Sequence, residues 1–199
     1  MTSTSEPAGR PEVIPGERIF LSHVLREDVP LYGRWFSDLE LNTYVGLTGN
    51  SYTTEHEQAW YDNMVHDSSR RIFSIVLRED GRTIGNVSFN RIEERKRAAE
   101  LGIAIGDKSA WSQGYGTEAL RLMCDYGFTF LSLHTIYLWF TEFNKRGQRA
   151  YRKAGFRDAG RIRGGELFDG RHYDRVLMDI TREDFGPTTL GRLIGQLPT

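Results

Sequence analysis

The stretch AWSQGYGTEALRLM, Ala110 to Met123, sets Gly114 and Gly116 directly before a run of good helix formers. Two kinds of chemistry fit that pattern. Glycine tolerates φ > 0, so a tight turn into the helix is one reason for it. The other is an anion. The first helical turn has backbone N–H groups without intrahelical acceptors at the positive end of the helix dipole, and a missing Cβ lets a phosphate approach them. Further on, Tyr151 follows Asn144 by seven residues, two helical turns on nearly the same face. Other chemistries lack their residues. His23, His56, His66, His134 and His172 show no metal-ligand spacing with each other or with Cys124, the one cysteine. There is no G-x-S-x-G elbow and no P-loop lysine. Cys124 lies at an apolar position of the helix after the glycines and reads as core filler.

The elements around these residues follow from periodicity. Residues 1–16, rich in Ser, Thr, Pro and Gly, read as a flexible tail. A first strand spans Arg18 to Leu25. A helix follows with Asp28 as N-cap and Leu31, Trp35 and Phe36 on its apolar face. Leu39 to Tyr52 reads as a polar loop, and the next helix, near residues 53–67, opens on a Thr54–Glu57 capping box and carries Trp60 and Met64. RIFSIVLRED and RTIGNVSFNRI form a hairpin across Asp80-Gly81, and Ala99 to Ile105 is the fourth strand. A helix from about Tyr115 to Leu131 presents Ala119, Leu120, Met123, Gly127 and Phe130 to the core. The fifth strand is Thr135 to Phe143. A short helix stopped by Gly155 precedes a closing hairpin, Phe156–Phe168 and His172–Thr181. Residues 187–199 add a short helix. The order implies an α/β domain with a mixed sheet, spanning 17–185 between a tail (1–16) and an extension (186–199). The two glycines then sit at a strand-to-helix turn, the place where open α/β sheets take phosphates.

The formal net charge is −1, which gives no bulk attraction to nucleic acid or an anionic membrane. No apolar run reaches membrane-span length, no signal-peptide core is present, and a lone cysteine fits a reducing compartment; the cytoplasm is the expected location.

Together the order and motifs resemble the GNAT superfamily of N-acetyltransferases, nearest to ribosomal-protein N-terminal and spermidine acetyltransferases. AELGIAIGDKSAWSQGYGTEAL is similar to the family's acetyl-CoA motif, NKRGQRAYRKAGF to its asparagine–tyrosine–Lys-x-Gly-Phe segment, and FDGRHYDRVLM to the closing hairpin of this branch. Two positions depart from the family pattern. Trp111 stands where an Arg or Gln often begins the pyrophosphate loop, with a glutamine instead at Gln113. Gly147 stands where some members carry a serine that is a candidate acid.

The resemblance implies a mostly antiparallel sheet splayed between the fourth and fifth strands, with helices on both faces. It implies that pantetheine pairs with the backbone of Ile103, Ala104 and Ile105, and that Trp111, Ser112, Gln113, Gly114, Tyr115, Gly116 and Thr117 hold the pyrophosphate. Asn144 contacts amides of CoA or caps its helix. Tyr151 is the acid that protonates the leaving thiolate, and Glu100 is either a base acting through water or a solvated strand end. The implied activity is direct transfer of acetyl from acetyl-CoA, without a metal, to a primary amine: a protein N-terminus, a polyamine, an amino acid or an amine-bearing antibiotic. A homodimer is compatible with it. Asp38, Glu40, Glu55 and Glu57 form a carboxylate-rich stretch that either walls the acceptor cleft or is ordinary solvated surface. A CoA-binding regulatory module without turnover is the alternative function, and an RNA-binding scaffold a third, opposed by the near-neutral charge.

Overall fold

The computed structural model describes residues 10–194 except Thr48, Ser51 and Val65. Runs of Val, Ile, Leu and Phe build eight strands of one sheet: β1 (Ile14–Pro15), β2 (Ile19–His23), β3 (Arg71–Leu77), β4 (Thr83–Glu93), β5 (Ala98–Ile105), β6 (Thr135–Thr141), β7 (Arg157–Phe168) and β8 (Arg171–Thr181). The helices are α1 (Val29–Phe36), α2 (Leu39–Tyr44), α3 (Thr54–Met64), α4 (Tyr115–Thr129), α5 (Lys145–Ala154), α6 (Arg182–Phe185) and α7 (Leu190–Ile194).

The strand order is β1-β2-β3-β4-β5-β6-β8-β7. All neighbours are antiparallel except β5 and β6, which run parallel and match only from Ala98↔Thr135 to Glu100↔Tyr137. Past Glu100 each strand follows its antiparallel partner, β5 along β4 to Ile105 and β6 along β8 to Thr141. The sheet therefore opens at this point, the gap expected between the fourth and fifth strands. The extra strand β1 makes them the fifth and sixth.

Helix α4 buries Ala119, Leu120, Met123, Cys124 and Phe128 in the core. Gly127 lets it lie close, because a Cβ there would meet Phe89 at 2.7 Å. Burial pushes the Cys124 thiol pKa up, which keeps it protonated and inert, as a core residue should be. Phe130, expected on the same face, is 51% exposed: the helix ends at Thr129 and Phe130 is its C-cap.

Other local expectations are corrected. Residues 10–16 are not free chain: Ile14 and Pro15 pair with Leu21 and Phe20, Ile14 is buried, and Arg10 forms an ion pair with Asp28. Residues 1–9 lie outside the described residues. Asp28 does not cap α1; its carboxylate accepts from Leu25 N–H (2.9 Å) and the Ser74 hydroxyl (3.0 Å). Within the expected loop 39–52, Asp38 caps α2 by accepting from the N–H groups of Glu40 and Leu41. For α3, Thr53 rather than Thr54 accepts the first-turn bond, from His56 N–H at 3.4 Å. Beyond residue 185 the chain stays docked. Asp125 accepts the N–H groups of Thr189 and Leu190 (2.7 and 3.2 Å), and Leu190 joins the core.

Candidate active site

On the α4 face of the gap lies a cavity of about 210 Å³. Its floor is the open edge of β5. Gly106 N–H bonds Ile84 carbonyl on β4 (2.9 Å), so by strand alternation Ala104 also turns its backbone to β4, while Ile103 and Ile105 turn theirs to the gap. The Ile105 carbonyl accepts the Trp111 indole N–H at 2.6 Å. Ala104 thus lines the cavity without offering it a backbone group, and Ile103 offers the free pair.

The two glycines divide the two readings between them. Gly114 has φ 92°, left-handed, as does Ser112 at 61°, so Gly114 makes the turn. Gly116 makes the room: a Cβ there would point at Ile105 and Ile103 across 3.7 and 3.9 Å, into the cavity they line together. The first i→i−4 bond of α4 runs from Glu118 N–H to Gly114 carbonyl (3.1 Å), which leaves the N–H groups of residues 114–117 open for an anion. Trp111, Ser112, Gly114, Gly116 and Thr117 line the cavity. Gln113 and Tyr115 do not. The Gln113 amide donates to Ser109 carbonyl (2.5 Å), and the Tyr115 ring is buried beneath the Arg18 guanidinium, 4.2 Å from its centroid; only their backbones remain for a phosphate.

On the other face, under α1 and α3, is a larger cavity of about 650 Å³. One wall comes from strand alternation and a bulge. Glu100, Gly102 and Ala104 point into it from β5, and Asn86, Ser88 and Asn90 from β4. The β4–β5 register slips between Phe89 and Arg91, so Asn90 is the bulged residue. Its amide lies over Gly102, where any Cβ would stand 2.7 Å from Asn90 Nδ2, and Ser88 donates to its carbonyl at 2.7 Å. Phe36, Tyr52, Glu57 and Trp60 close the top. Sequence reasoning missed this polar row, although the alternation of polar 86, 88 and 90 with apolar 87 and 89 was its signal.

Of the four carboxylates in the stretch 38–57, Glu57 lines this cavity. It is 5% exposed, and burial holds its carboxyl above the usual carboxylate range. Asp38 and Glu40 face away and pair with Lys108 Nζ at 2.6 and 2.7 Å, and Glu55 is exposed. Glu57 and Glu100 have no ion-pair partner among the described residues, whereas the cavity's arginines do: Arg70 with Asp67 (3.1 Å) and Arg175 with Glu166 (3.7 Å).

The two cavities meet. Ile103, Ala104, Tyr44, Val45 and Tyr151 line both. Tyr151 is 8% exposed, its ring packed 5.4 Å from Phe140 and 6.5 Å from Phe156 between centroids. Its hydroxyl has no hydrogen-bond partner among the described residues, and burial pushes its pKa up to about 12. Asn144 is held by the protein on both sides of its amide: its carbonyl caps α5 by accepting Gly147 N–H (2.8 Å), and its NH2 donates to Tyr44 carbonyl (3.1 Å). It forms part of the cavity wall and holds α2 against α5, and its amide keeps a second N–H beyond these two bonds.

The family model described as "Acetyltransferase (GNAT) domain" matches residues 18–157. The chain belongs to this family. Among GNAT relatives, an N-acetyltransferase of Bacillus licheniformis is 27% identical over 178 residues, covering 87% of this chain and 98% of that one. Spermidine N(1)-acetyltransferase of Escherichia coli K12 is 33% identical over 125 residues, 63% of this chain and 66% of that protein. In fold, this chain is similar to the crystal structure of Vibrio cholerae spermidine N-acetyltransferase in complex with CoA and spermine, with a TM-score of 0.78, 23% identity, and coverage of 84% of this chain and 98% of that one.

As a GNAT acetyltransferase the chain uses acetyl-CoA, and the cavity on the α4 face fits it: open helix N–H groups, no Cβ at 116, and a free strand edge lead from the Gly114–Gly116 turn to Tyr151. Among the described residues no cluster of His, Cys, Asp or Glu suits a metal ion, and no helix is long and apolar enough to cross a membrane.

Proposed function

We propose that this GNAT enzyme acetylates a small primary amine bound between α1, α3 and the polar row of β4. The observation that carries the reading is the junction: Ile103, Ala104 and Tyr151 belong to both cavities, so a thioester laid along β5 from one side meets an amine entering from the other. Two carboxylates without cation partners, Glu57 and Glu100, make the acceptor side suited to an ammonium. The relatives named as spermidine acetyltransferases support an aliphatic amine.

Bound acetyl-CoA supplies an activated carbonyl; the amine nitrogen forms the C–N bond, the C–S bond breaks, and sulfur takes the bonding pair. The residues of this chain handle the charges and protons. The Ile103 N–H faces the gap and donates to the carbonyl oxygen as it becomes negative. Tyr151 gives its phenolic proton to the departing sulfur and regains one from solvent. Glu100, half-buried on the amine side, takes the proton that the amine loses, through water. Holding both partners in line at this junction supplies a large share of the acceleration.

A panel of monoamines, diamines, spermidine, amino acids, N-terminal peptides and aminoglycosides, offered with acetyl-CoA, tests the proposal by thiol release and product mass. The expected result is a monoacetylated small amine. Binding of CoA with no thiol release for any amine would instead support the regulatory module; turnover confined to peptides would overturn the small-amine reading.

A further inference from the structure

The pyrophosphate turn lacks the positive side chain its sequence position often holds, because that place is Trp111. The structure brings a cation to it from another element. Arg146, in the first turn of α5, lays its guanidinium on the Trp111 indole, 3.4 Å from the ring centroid, and 4.9 Å from that of Tyr44. Trp111 is itself pinned to Ile105 by its N–H and set edge-on to Tyr44. Both Arg146 and Trp111 line the cavity that contains Gly114, Gly116 and Thr117.

Three features disfavour the charge at this position in the free protein, against the stacking on Trp111 and Tyr44 that holds it there. The guanidinium has no carboxylate within ion-pair distance among the described residues. It is partly desolvated, and that burial lowers its pKa. It also stands at the positive end of the α5 dipole, where a cation is disfavoured and no acidic residue occupies the first turn to offset it. All three penalties are relieved by one event, arrival of an anion in the cavity.

We propose that Arg146 is the counter-ion of the CoA pyrophosphate, held in place by stacking on Trp111. This rests on the acetyl-CoA reading of the cavity. Arg149 and Lys153, also on the cavity wall but exposed, are left for other parts of the cofactor. The guanidinium's flat face stays on the indole while its N–H edge donates to phosphate oxygens, so lysine is not an equal substitute.

Calorimetric titration of the wild type, Arg146→Gln and Arg146→Lys with CoA, dephospho-CoA and pantetheine tests this, with thermal unfolding of each protein alone. For Arg146→Gln the expected result is a roughly 10- to 100-fold loss for both CoA and dephospho-CoA, as for a lost charged hydrogen bond. Pantetheine binding should be unchanged and Arg146→Lys intermediate, with each variant still unfolding cooperatively, so that a loss of affinity is not a loss of fold. Several results would overturn the proposal: equal CoA affinity in all three proteins, a loss seen with CoA but not with dephospho-CoA, or a loss extending to pantetheine. If the wild type itself binds no CoA, the reading of the cavity falls and the proposal with it, a result distinct from all of these.

Discussion

Removing one oxygen, by Tyr151→Phe, isolates the acid role. The phenol ring is buried against Phe140 and Phe156, and its hydroxyl has no protein partner among the described residues. Phenylalanine therefore keeps the packing and loses no internal hydrogen bond, so stability and CoA affinity should stay near wild type. The effect on rate follows from the pKa. At about 12, the group is protonated at neutral pH, and its availability is not limiting. The same burial makes it a weak acid: relative to a thiol near 8.5, full transfer before bond cleavage is uphill by roughly 5 kcal/mol at about 1.4 kcal/mol per pKa unit. The proton must then move as the C–S bond breaks, while the sulfur gains charge. That places the loss at the lower end of the usual span for general acids, about 100-fold in kcat. Quenched-flow measurement of a single turnover reads the transfer step apart from product release. An undiminished transfer step in Tyr151→Phe would refute the acid assignment and leave the enzyme's overall reaction untouched.

Gly116→Val should weaken CoA binding by about tenfold or more without lowering the melting temperature, since its Cβ would stand at ordinary contact distance from Ile105 and Ile103, 3.7 and 3.9 Å; Gly114→Val should also destabilise, by about 1–2 kcal/mol, because its φ is left-handed. Calorimetry paired with thermal unfolding separates the two, and equal melting losses would contradict the division. Asn144→Ala removes a helix cap and strands the Tyr44 carbonyl, so urea unfolding should show a loss of about 2 kcal/mol. Glu57→Gln should raise KM for a cationic amine about tenfold with CoA affinity unchanged; an unaltered KM would return Glu57 to a packing role. Burial raises the pKa of Tyr151, so the unfolded chain ionises first: the stability this group confers is intact below pH 10, falls as pH rises, and is lost through about 12. Two units correspond to about 3 kcal/mol, which denaturant titrations across that range in wild type and Tyr151→Phe would reveal as a shallower decline in the variant.

The turn into α4 was legible in the sequence because its parts are local. The glycines and the first turn of α4 are consecutive residues, and a left-handed Gly114 with open N–H groups after it follows from a glycine at a helix start, whereas the left-handed Ser112 does not follow from residue type. The strands were legible where alternation or long apolar runs marked them. Shorter elements were not. β1 is two residues, one of them proline, and exists because β2 offers it an edge. α2 is six residues that include Asn, Thr and Tyr, poor helix formers held by the Asp38 cap and by burial of Leu41. Which carboxylates of the stretch 38–57 face the larger cavity was not legible, for a related reason. A run of carboxylates does not show which of them face inward, and Lys108, remote in sequence, takes two of them away. Arg146 escaped notice because its meaning lies in Trp111, on a different element.

The acceptor side rests on register more than on residue identity. In β5 Glu100, Gly102 and Ala104 turn their side-chain positions to the larger cavity, while Leu101 and Ile103, which also border it, pack against the core on the α4 side. Because side chains alternate along a strand, a one-residue slip against β4 would exchange the two rows. Isoleucine and leucine would then fill the space for the amine, and Glu100 would be driven into the core. The bulge at Asn90 absorbs an extra residue of β4 at the point where β5 leaves β6, and Gly102 accommodates the amide that the bulge redirects. Bulge, glycine and splay occupy one short stretch of the sheet. The irregularity that spoils the ladder there leaves Ile103 with free backbone groups on one edge and polar side chains on one face, and both are needed where amine and thioester meet.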